Sequence, residues 1–140
     1  SFDGETGCFC QYSAVRANSI FRKLEEKGET VEECRSRLSD MAPVANVLAS
    51  EAGGEIWSMA VTASRLAETV EQAAHANEPA ILAKYTFNLA KAFNLFYHNH
   101  KIIAETDDVK RAVLVVVADC ARRSLTAALG TLGIEVPARM

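Results

Sequence analysis

Apolar residues recur at steps of three or four positions along most of this 140-residue chain, a spacing typical of amphipathic helices rather than strands. The clearest case is the segment 80–97, which follows Pro79, a residue that suits the first turn of a helix. The large apolar residues of this segment lie along one helical stripe: Leu82, Tyr85 (or Thr86), Leu89, Phe93 and Phe96. The pattern therefore predicts an all-α fold.

A second long helix is predicted over 109–129, although its run of Leu-Val-Val-Val also resembles a strand. The length of the segment, the start signal at Thr106-Asp107-Asp108 and the helical recurrence of its apolar residues favour the helix. The single tryptophan, Trp57, lies in another helical pattern and is predicted to pack at a contact between helices. Asn94, a polar residue in the segment 80–97, is predicted to satisfy a backbone group at a helix crossing.

Stop signals divide the pattern into about five helices. Lys27-Gly28 is predicted to end the first helix, and Gly53-Gly54 is predicted to interrupt or bend a later one. We predict one domain, an antiparallel helix bundle over residues 8–132 with a loop at 1–7 and a short tail at 133–140. A terminal tail frays unless another segment holds it, and the sequence leaves both possibilities open.

The charge of the chain is unevenly distributed. The net charge of −3 argues against a general polyanion binder. Residues 1–23 carry +1, residues 24–80 carry −7 and residues 81–140 carry +3. If the two basic segments meet in space, they form a modest positive patch on an acidic domain. Ordinary variation on a solvated surface gives the same numbers, and the sequence leaves that alternative open.

Several classes of site and segment are not expected from the sequence. The cysteines show neither zinc-ribbon spacing nor a disulfide framework, so we expect free thiols and no bound metal at Cys8, Cys10, Cys34 and Cys120. The pair His98 and His100 lacks further ligands. No apolar run approaches the roughly 18 to 20 residues that a membrane span needs. We expect a cytoplasmic protein without a membrane partner. Because the chain opens on serine, we expect it to be a piece of a longer protein.

The first 23 residues combine a glycine-containing stretch with a helical pattern that carries an aromatic residue and a cation. Gly4 and Gly7 allow tight turns, and Thr6 is predicted to be the N-cap of the first helix. Tyr12 and Arg16 are four positions apart, so they project from one face of that helix, one turn apart. The stretch therefore predicts a loop followed by a helix that presents a ring and a guanidinium side by side.

Three segments of the chain resemble a known family. SFDGETG followed by QYSAVR and SIFRK is similar to the opening of the C-terminal anticodon-binding domain of arginyl-tRNA synthetases, the all-helical domain called DALR. LAKYTFNLAKAFNLFY is similar to the central helix of that domain, and LGIEVPARM is similar to its C-terminus, which ends on methionine. The three segments occur in the family's order and together cover essentially the whole chain.

The resemblance implies that the chain binds the anticodon loop of tRNA(Arg). A loop of this kind offers unpaired bases that can stack on aromatic side chains. Every arginine codon has a central G, so the central anticodon base is C. The contacts implied by the matching motifs are Phe2, Asp3, Gly4, Glu5, Thr6, Gly7, Gln11, Tyr12, Arg16 and Met140. Arg16 is assigned a phosphate or base-edge contact, whereas Gln11 can equally serve the fold. For Tyr12 the alternative is a half-buried ring whose hydroxyl is bonded within the protein.

The resemblance also implies a parent enzyme, an arginine-tRNA ligase of class I that uses ATP with Mg in a separate catalytic domain. The HIGH-like and KMSK-like motifs of that domain are missing from these 140 residues, so we expect the fragment alone to be non-catalytic and without a cofactor. Its expected partners are the tRNA and the catalytic domain of the same chain, and it is expected to be a monomer. The alternative is a freestanding DALR-like module for RNA or protein interaction without synthetase activity.

The chain departs from the family pattern next to the predicted contacts. Cys8 and Phe9 stand where the family usually has proline and tyrosine, and Ala14 stands where it usually has histidine. These changes remove polar partners from the neighbourhood of Tyr12.

Overall fold

The computed structural model describes residues 4–140, with side chains from Thr6 onward, and every regular element in this range is an α-helix. The helices are α1 (Gly4–Glu26), α2 (Val31–Ser36), α3 (Met41–Ala49), α4 (Gly53–Ser64), α5 (Leu66–Ala76), α6 (Pro79–Asn99) and α7 (Asp108–Thr131). The predicted all-α bundle is confirmed, but these residues form seven helices rather than about five.

Two breaks within the region 41–76 account for most of the difference in helix number. α3 and α4 are separated before Gly53, where a Cβ atom would lie 1.8 Å from the backbone oxygen of Leu48. Only glycine permits this close approach of two backbones. α4 and α5 are separated at Arg65, whose backbone leaves the helical conformation although neither glycine nor proline is present there.

The core of the bundle is centred on α7, which packs against α1, α2, α3, α4 and α6. The carboxylate of Asp107 caps this helix by accepting hydrogen bonds from the backbone N–H groups of Val109 and Lys110, both at 3.0 Å. Neighbours surround α7, and the consecutive residues Leu114 and Val115 are both buried. A helix covered on several sides is apolar on several sides, which explains the strand-like run in its sequence.

An ion-pair cluster joins the segment between α1 and α2 to α7. The nearly buried carboxylate of Glu29 accepts hydrogen bonds from Arg111 at 2.9 and 3.1 Å and from Arg37 at 2.5 Å. The hydrogen bonds from Arg111, opposed by burial and reinforced by Arg37, lower the pKa of Glu29 to about 2. Because both oxygens are occupied by arginines from different elements, this carboxylate fixes where α2 lies against α7.

The start of the bundle differs from the predicted loop at 1–7. Helix α1 begins at Gly4, so Thr6 and Gly7 lie inside the helix and Thr6 is not its N-cap. The first four N–H groups of a helix have no intrahelical partner, so residues typical of a loop can occupy its first turn. Ser1, Phe2 and Asp3 lie outside the described residues.

The tail at 133–140 contains no helix and is held against the bundle. Ile134 and Val136 pack on the core, and the Ile134 N–H donates to the Leu129 oxygen at 2.8 Å. Of the two possibilities that the sequence left open, the structure shows the docked one for this part of the tail.

The prediction for Trp57 is wrong, because its side chain is 63% exposed on α4 rather than buried between helices. The helical period shows that Trp57 lies on a helix but leaves open which side of α4 faces the core.

Across residues 4–140, no helix has the length and apolar character to span a bilayer.

Candidate nucleic-acid interface

Helix α1 presents the ring of Tyr12 to solvent. The side chain is 51% exposed, and its hydroxyl makes no hydrogen bond to the described residues. The alternative of a ring whose hydroxyl is bonded within the protein therefore finds no support in residues 4–140. A half-exposed aromatic face of this kind is available for stacking with an unpaired base.

Arg16 lies one turn after Tyr12 and is held by side chains of α6. Its Nη1 atom lies 3.4 Å from the Oδ1 atom of Asn94, and its guanidinium carbon lies 5.1 Å from the centroid of the Tyr97 ring. The distance to Tyr97 is within the range of a cation–π contact. The guanidinium is thus partly oriented before any ligand binds.

Asn94 has a defined orientation because both hydrogens of its amide are used. Its Nδ2 atom donates to the Ser13 hydroxyl at 2.7 Å and to the Ala90 backbone oxygen at 2.9 Å. The amide oxygen is therefore the atom that faces Arg16. The prediction that Asn94 satisfies a backbone group at a helix crossing is met only in part: its backbone partner, Ala90, lies on the same helix, and its link to α1 is the Ser13 hydroxyl. Its second role, orienting Arg16, depends on a contact across 78 positions of sequence and could not be read from the helical pattern.

A groove of about 300 Å³ lies beside Arg16, where α6 ends. Its polar and aromatic lining consists of Arg16, Tyr97, His98 and Lys101, and Ile102 to Ala104 complete it. The stacked rings of Phe93 and Tyr97, with centroids 6.5 Å apart and an interplanar angle of 1°, support the aromatic wall. Cations next to an aromatic surface form the combination that binds single-stranded nucleic acid. We call this feature the Arg16 groove.

Sequence reasoning missed three residues of the Arg16 groove: Tyr97, His98 and Lys101. The sequence did contain an indication of them, because these residues end or follow LAKYTFNLAKAFNLFY, the segment that is similar to the central helix of the family. The alternation of His98 and His100 in the sequence suggests a pair of metal ligands rather than a contact with RNA. Among the described residues, no three His, Cys, Asp or Glu side chains come together as a metal site.

The tail joins the same helix through Gln11. The Nε2 atom of Gln11 donates to the backbone oxygen of Glu135 at 2.9 Å. Of the two roles considered for Gln11, this contact is the structural one. It holds the tail at Glu135 against the side of α1, whereas Met140, the last residue, is 62% exposed and has no contact among the described residues that places it beside Tyr12. The two basic segments of the chain do meet, because α1 packs against α6 and α7 and the tail bonds to Gln11.

The remaining predicted contacts are not assembled into an exposed loop. Gly4 and Glu5 begin α1, and Gly7 is buried within it. Thr6 instead lines a cavity of about 560 Å³ between the beginnings of α1 and α6 and the tail, together with Ala83, Lys84, Phe87 and Ile134. Phe2 and Asp3 lie outside the described residues.

Comparison with protein families matches residues 10–140 to the DALR anticodon binding domain. The chain belongs to this family. The resemblance inferred from the three sequence segments is therefore confirmed, and the match extends over almost the whole chain.

Several curated relatives are similar to the domain. It is 31% identical over 141 residues to the arginine–tRNA ligase of Alkaliphilus metalliredigens, covering 100% of the chain and 22% of that protein. It is 32% identical over 139 residues to the arginine–tRNA ligase of Bacteroides thetaiotaomicron, covering 99% of the chain and 21% of that protein. For the arginine–tRNA ligase of Latilactobacillus sakei the identity is 37%, again over 99% of the chain and 22% of the relative. The chain thus spans about a fifth of the length of the relatives it matches.

Two of the three residues that depart from the family pattern, Phe9 and Ala14, serve packing in this domain. Phe9 lies against Phe87, with ring centroids 5.6 Å apart, and Ala14 is completely buried. Cys8 is exposed, and all four cysteines are free thiols.

Proposed function

We propose that the domain binds the anticodon loop of tRNA(Arg), and that it does so for an arginine–tRNA ligase whose catalytic domain lies elsewhere in the same polypeptide. The observation that carries this proposal is the exposed ring of Tyr12, one helical turn from the guanidinium that lines the Arg16 groove. Membership of the DALR family supports the proposal.

Binding would combine stacking with charge. An unpaired base stacks on Tyr12, a contact that contributes roughly 1–3 kcal/mol. Arg16 contacts a phosphate or a base edge, and its contacts with Asn94 and Tyr97 reduce the side-chain entropy lost on binding. Lys101 and His98 supply further donors to the RNA backbone. The proposed target is the central C that all arginine anticodons share.

The domain supplies recognition, and no chemical step is assigned to its residues. In the proposed parent enzyme, ATP with Mg activates arginine in the catalytic domain, and binding of the anticodon places the tRNA for arginylation. We propose a cytoplasmic protein in which this domain is monomeric.

The test replaces the proposed stacking residue. Tyr12→Ala should weaken binding of tRNA(Arg) by roughly 5- to 150-fold, which corresponds to the loss of one base–aromatic stack. The matched control is Trp57→Ala, which removes another exposed aromatic side chain, from a segment rich in acidic residues. Both variants are titrated with labelled tRNA(Arg) at one salt concentration. Equal affinity of Tyr12→Ala and the parent chain would overturn the stacking role.

A freestanding module for protein interaction is the second candidate, and the exposure of Trp57 favours it. The coding sequence upstream of Ser1 distinguishes the two. A catalytic domain bearing HIGH-like residues supports the ligase, whereas an immediate start codon supports the freestanding module.

A further inference from the structure

A second group of cations lies where α2 and α7 meet, apart from the Arg16 groove. Its centre is the carboxylate of Asp119, whose side chain is only 4% exposed. This carboxylate accepts hydrogen bonds from Arg122 Nη2 at 2.5 Å and from Arg35 Nη2 at 3.3 Å, and it forms an ion pair with Arg123, whose Nε atom lies 3.2 Å away. We call Arg35, Arg122 and Arg123, with Asp119, the arginine cluster.

The arginine cluster keeps an excess of positive charge. One carboxylate faces three guanidinium groups, and the only other anion in contact with them among the described residues is the exposed Glu32, 3.1 Å from Arg35. The net charge of these five groups is +1. An ion pair to an exposed carboxylate contributes little because water and salt screen it.

Arg122 shows that the cluster has an unused donor. Its guanidinium carbon lies 4.0 Å from the centroid of the Phe21 ring, so the group is fixed by stacking. Its Nε atom is buried and has no hydrogen-bond partner among the described residues. Because this atom is enclosed by the protein, the donors that can reach a ligand are those of the exposed arginines beside it.

The two outer arginines are accessible. Arg35 and Arg123 have side chains that are 41% and 61% exposed, and both contact the same oxygen of Asp119. Their guanidinium groups therefore lie side by side, and each retains N–H donors that Asp119 does not use. A phosphate, whose oxygens pair well with guanidinium groups, can bridge them.

We propose that the arginine cluster binds a phosphate of the RNA backbone outside the anticodon loop. This inference rests on the proposed function. Arg16 and Phe21 are five residues apart on α1, which places them about 7.5 Å apart along the helix and about 140° apart around it. One nucleotide cannot reach both sites, so the cluster needs a different part of the RNA, and the proposal places this contact on the stem next to the loop. A phosphodiester fits because each one in a stem carries a negative charge.

The test measures how tRNA affinity depends on salt. Each lost phosphate contact should reduce the slope of log K against log salt by about 0.7–0.9. Arg123→Gln and Arg35→Gln should each show this reduction, with the same loss for cognate and non-cognate tRNA, because phosphate contacts carry no sequence information. Arg123→Lys retains the charge and should retain the slope. The matched control is Arg65→Gln, an exposed arginine between α4 and α5, which should leave the slope unchanged.

A second ligand locates the contact. For a seven-nucleotide anticodon-loop RNA without its stem, Arg123→Gln should have the affinity of the parent chain, whereas Tyr12→Ala should bind more weakly. An equal loss for both ligands in Arg123→Gln would overturn the placement on the stem. An unchanged slope with whole tRNA in Arg123→Gln and Arg35→Gln would overturn the phosphate contact.

The outcomes separate this inference from the function on which it rests. If the 140-residue chain binds tRNA through Tyr12 but the cluster variants behave like the parent, only the further inference fails. If the chain binds no tRNA at all, both fail. Weaker binding of a polyglutamate peptide by Arg123→Gln, with unchanged tRNA binding, would assign the cluster to an acidic protein partner and overturn the proposal.

Discussion

Replacing Glu29 by glutamine should remove the anion that joins Arg37 and Arg111 while nearly preserving the shape of the side chain. The pKa of Glu29 is lowered from 4.5 to about 2 by these contacts. At 1.36 kcal/mol for each pKa unit, the charged form stabilises the fold by about 3 kcal/mol at pH 7. The side chain is only 12% exposed, so little of this energy is lost to solvent screening.

The sign of the pH dependence follows from the lowered pKa. The stabilisation is fully present above the unfolded-state pKa, near 4.5, and is lost as the pH falls towards the folded-state value of about 2. The difference in unfolding free energy between the parent chain and Glu29→Gln should therefore be about 3 kcal/mol at pH 7 and about 1 kcal/mol at pH 3.

Urea unfolding followed by circular dichroism at pH 7, 4 and 3 measures this difference. The control is Glu71→Gln, which removes the same charge from an exposed position on α5 that has no ion pair in the described part of the chain. The control should stay within about 0.5 kcal/mol of the parent chain. Equal stability of Glu29→Gln and the parent at pH 7, or a difference that stays constant from pH 7 to pH 3, would refute the reasoning.

Three further predictions concern the core. Gly53→Ala should lower the melting temperature strongly, because the new Cβ atom has no space beside the Leu48 backbone. Gly54→Ala has open space around it, so the free energy of unfolding should stay the same or rise by up to about 1 kcal/mol. Thermal melts compare the two variants. Ellman's reagent at pH 8 should label the exposed Cys8 rapidly and the buried Cys10 only on unfolding, because burial also raises the pKa of Cys10 to about 11. Rapid labelling of both thiols would contradict this. Tyr85→Phe should lower the free energy of unfolding in urea by about 1 kcal/mol, since the hydroxyl donates to a backbone oxygen of α4 at 2.7 Å. An unchanged free energy of unfolding would exclude a net stabilising hydrogen bond.

The helices were predictable where periodicity and capping agreed. α6 begins at Pro79 and α7 follows the cap at Asp107, as the sequence indicated. The break at Arg65 was not predictable, because no residue there is incompatible with a helix. The start of α1 was placed too late because glycines in a first turn resemble a loop. Helix ends depend on small energy differences that a single sequence does not reveal.

The candidate site was predictable only in part. The spacing of Tyr12 and Arg16 correctly placed both on α1, and the resemblance indicated the family. The contacts that orient Arg16, from Asn94 and Tyr97, are tertiary and join residues about 80 positions apart. The exposure of Trp57 could not be foreseen either, since residue type alone does not determine which side of a helix meets the core.

The central position of α7 has a consequence for synthesis on the ribosome. Five other helices pack against this segment, yet it is the last helix of the seven to be translated. Until residue 131 has left the exit tunnel, those five helices expose the apolar surfaces that α7 will cover. A nascent chain stalled before that point should therefore be prone to aggregation and bound by chaperones, and folding should begin late and involve the whole domain at once.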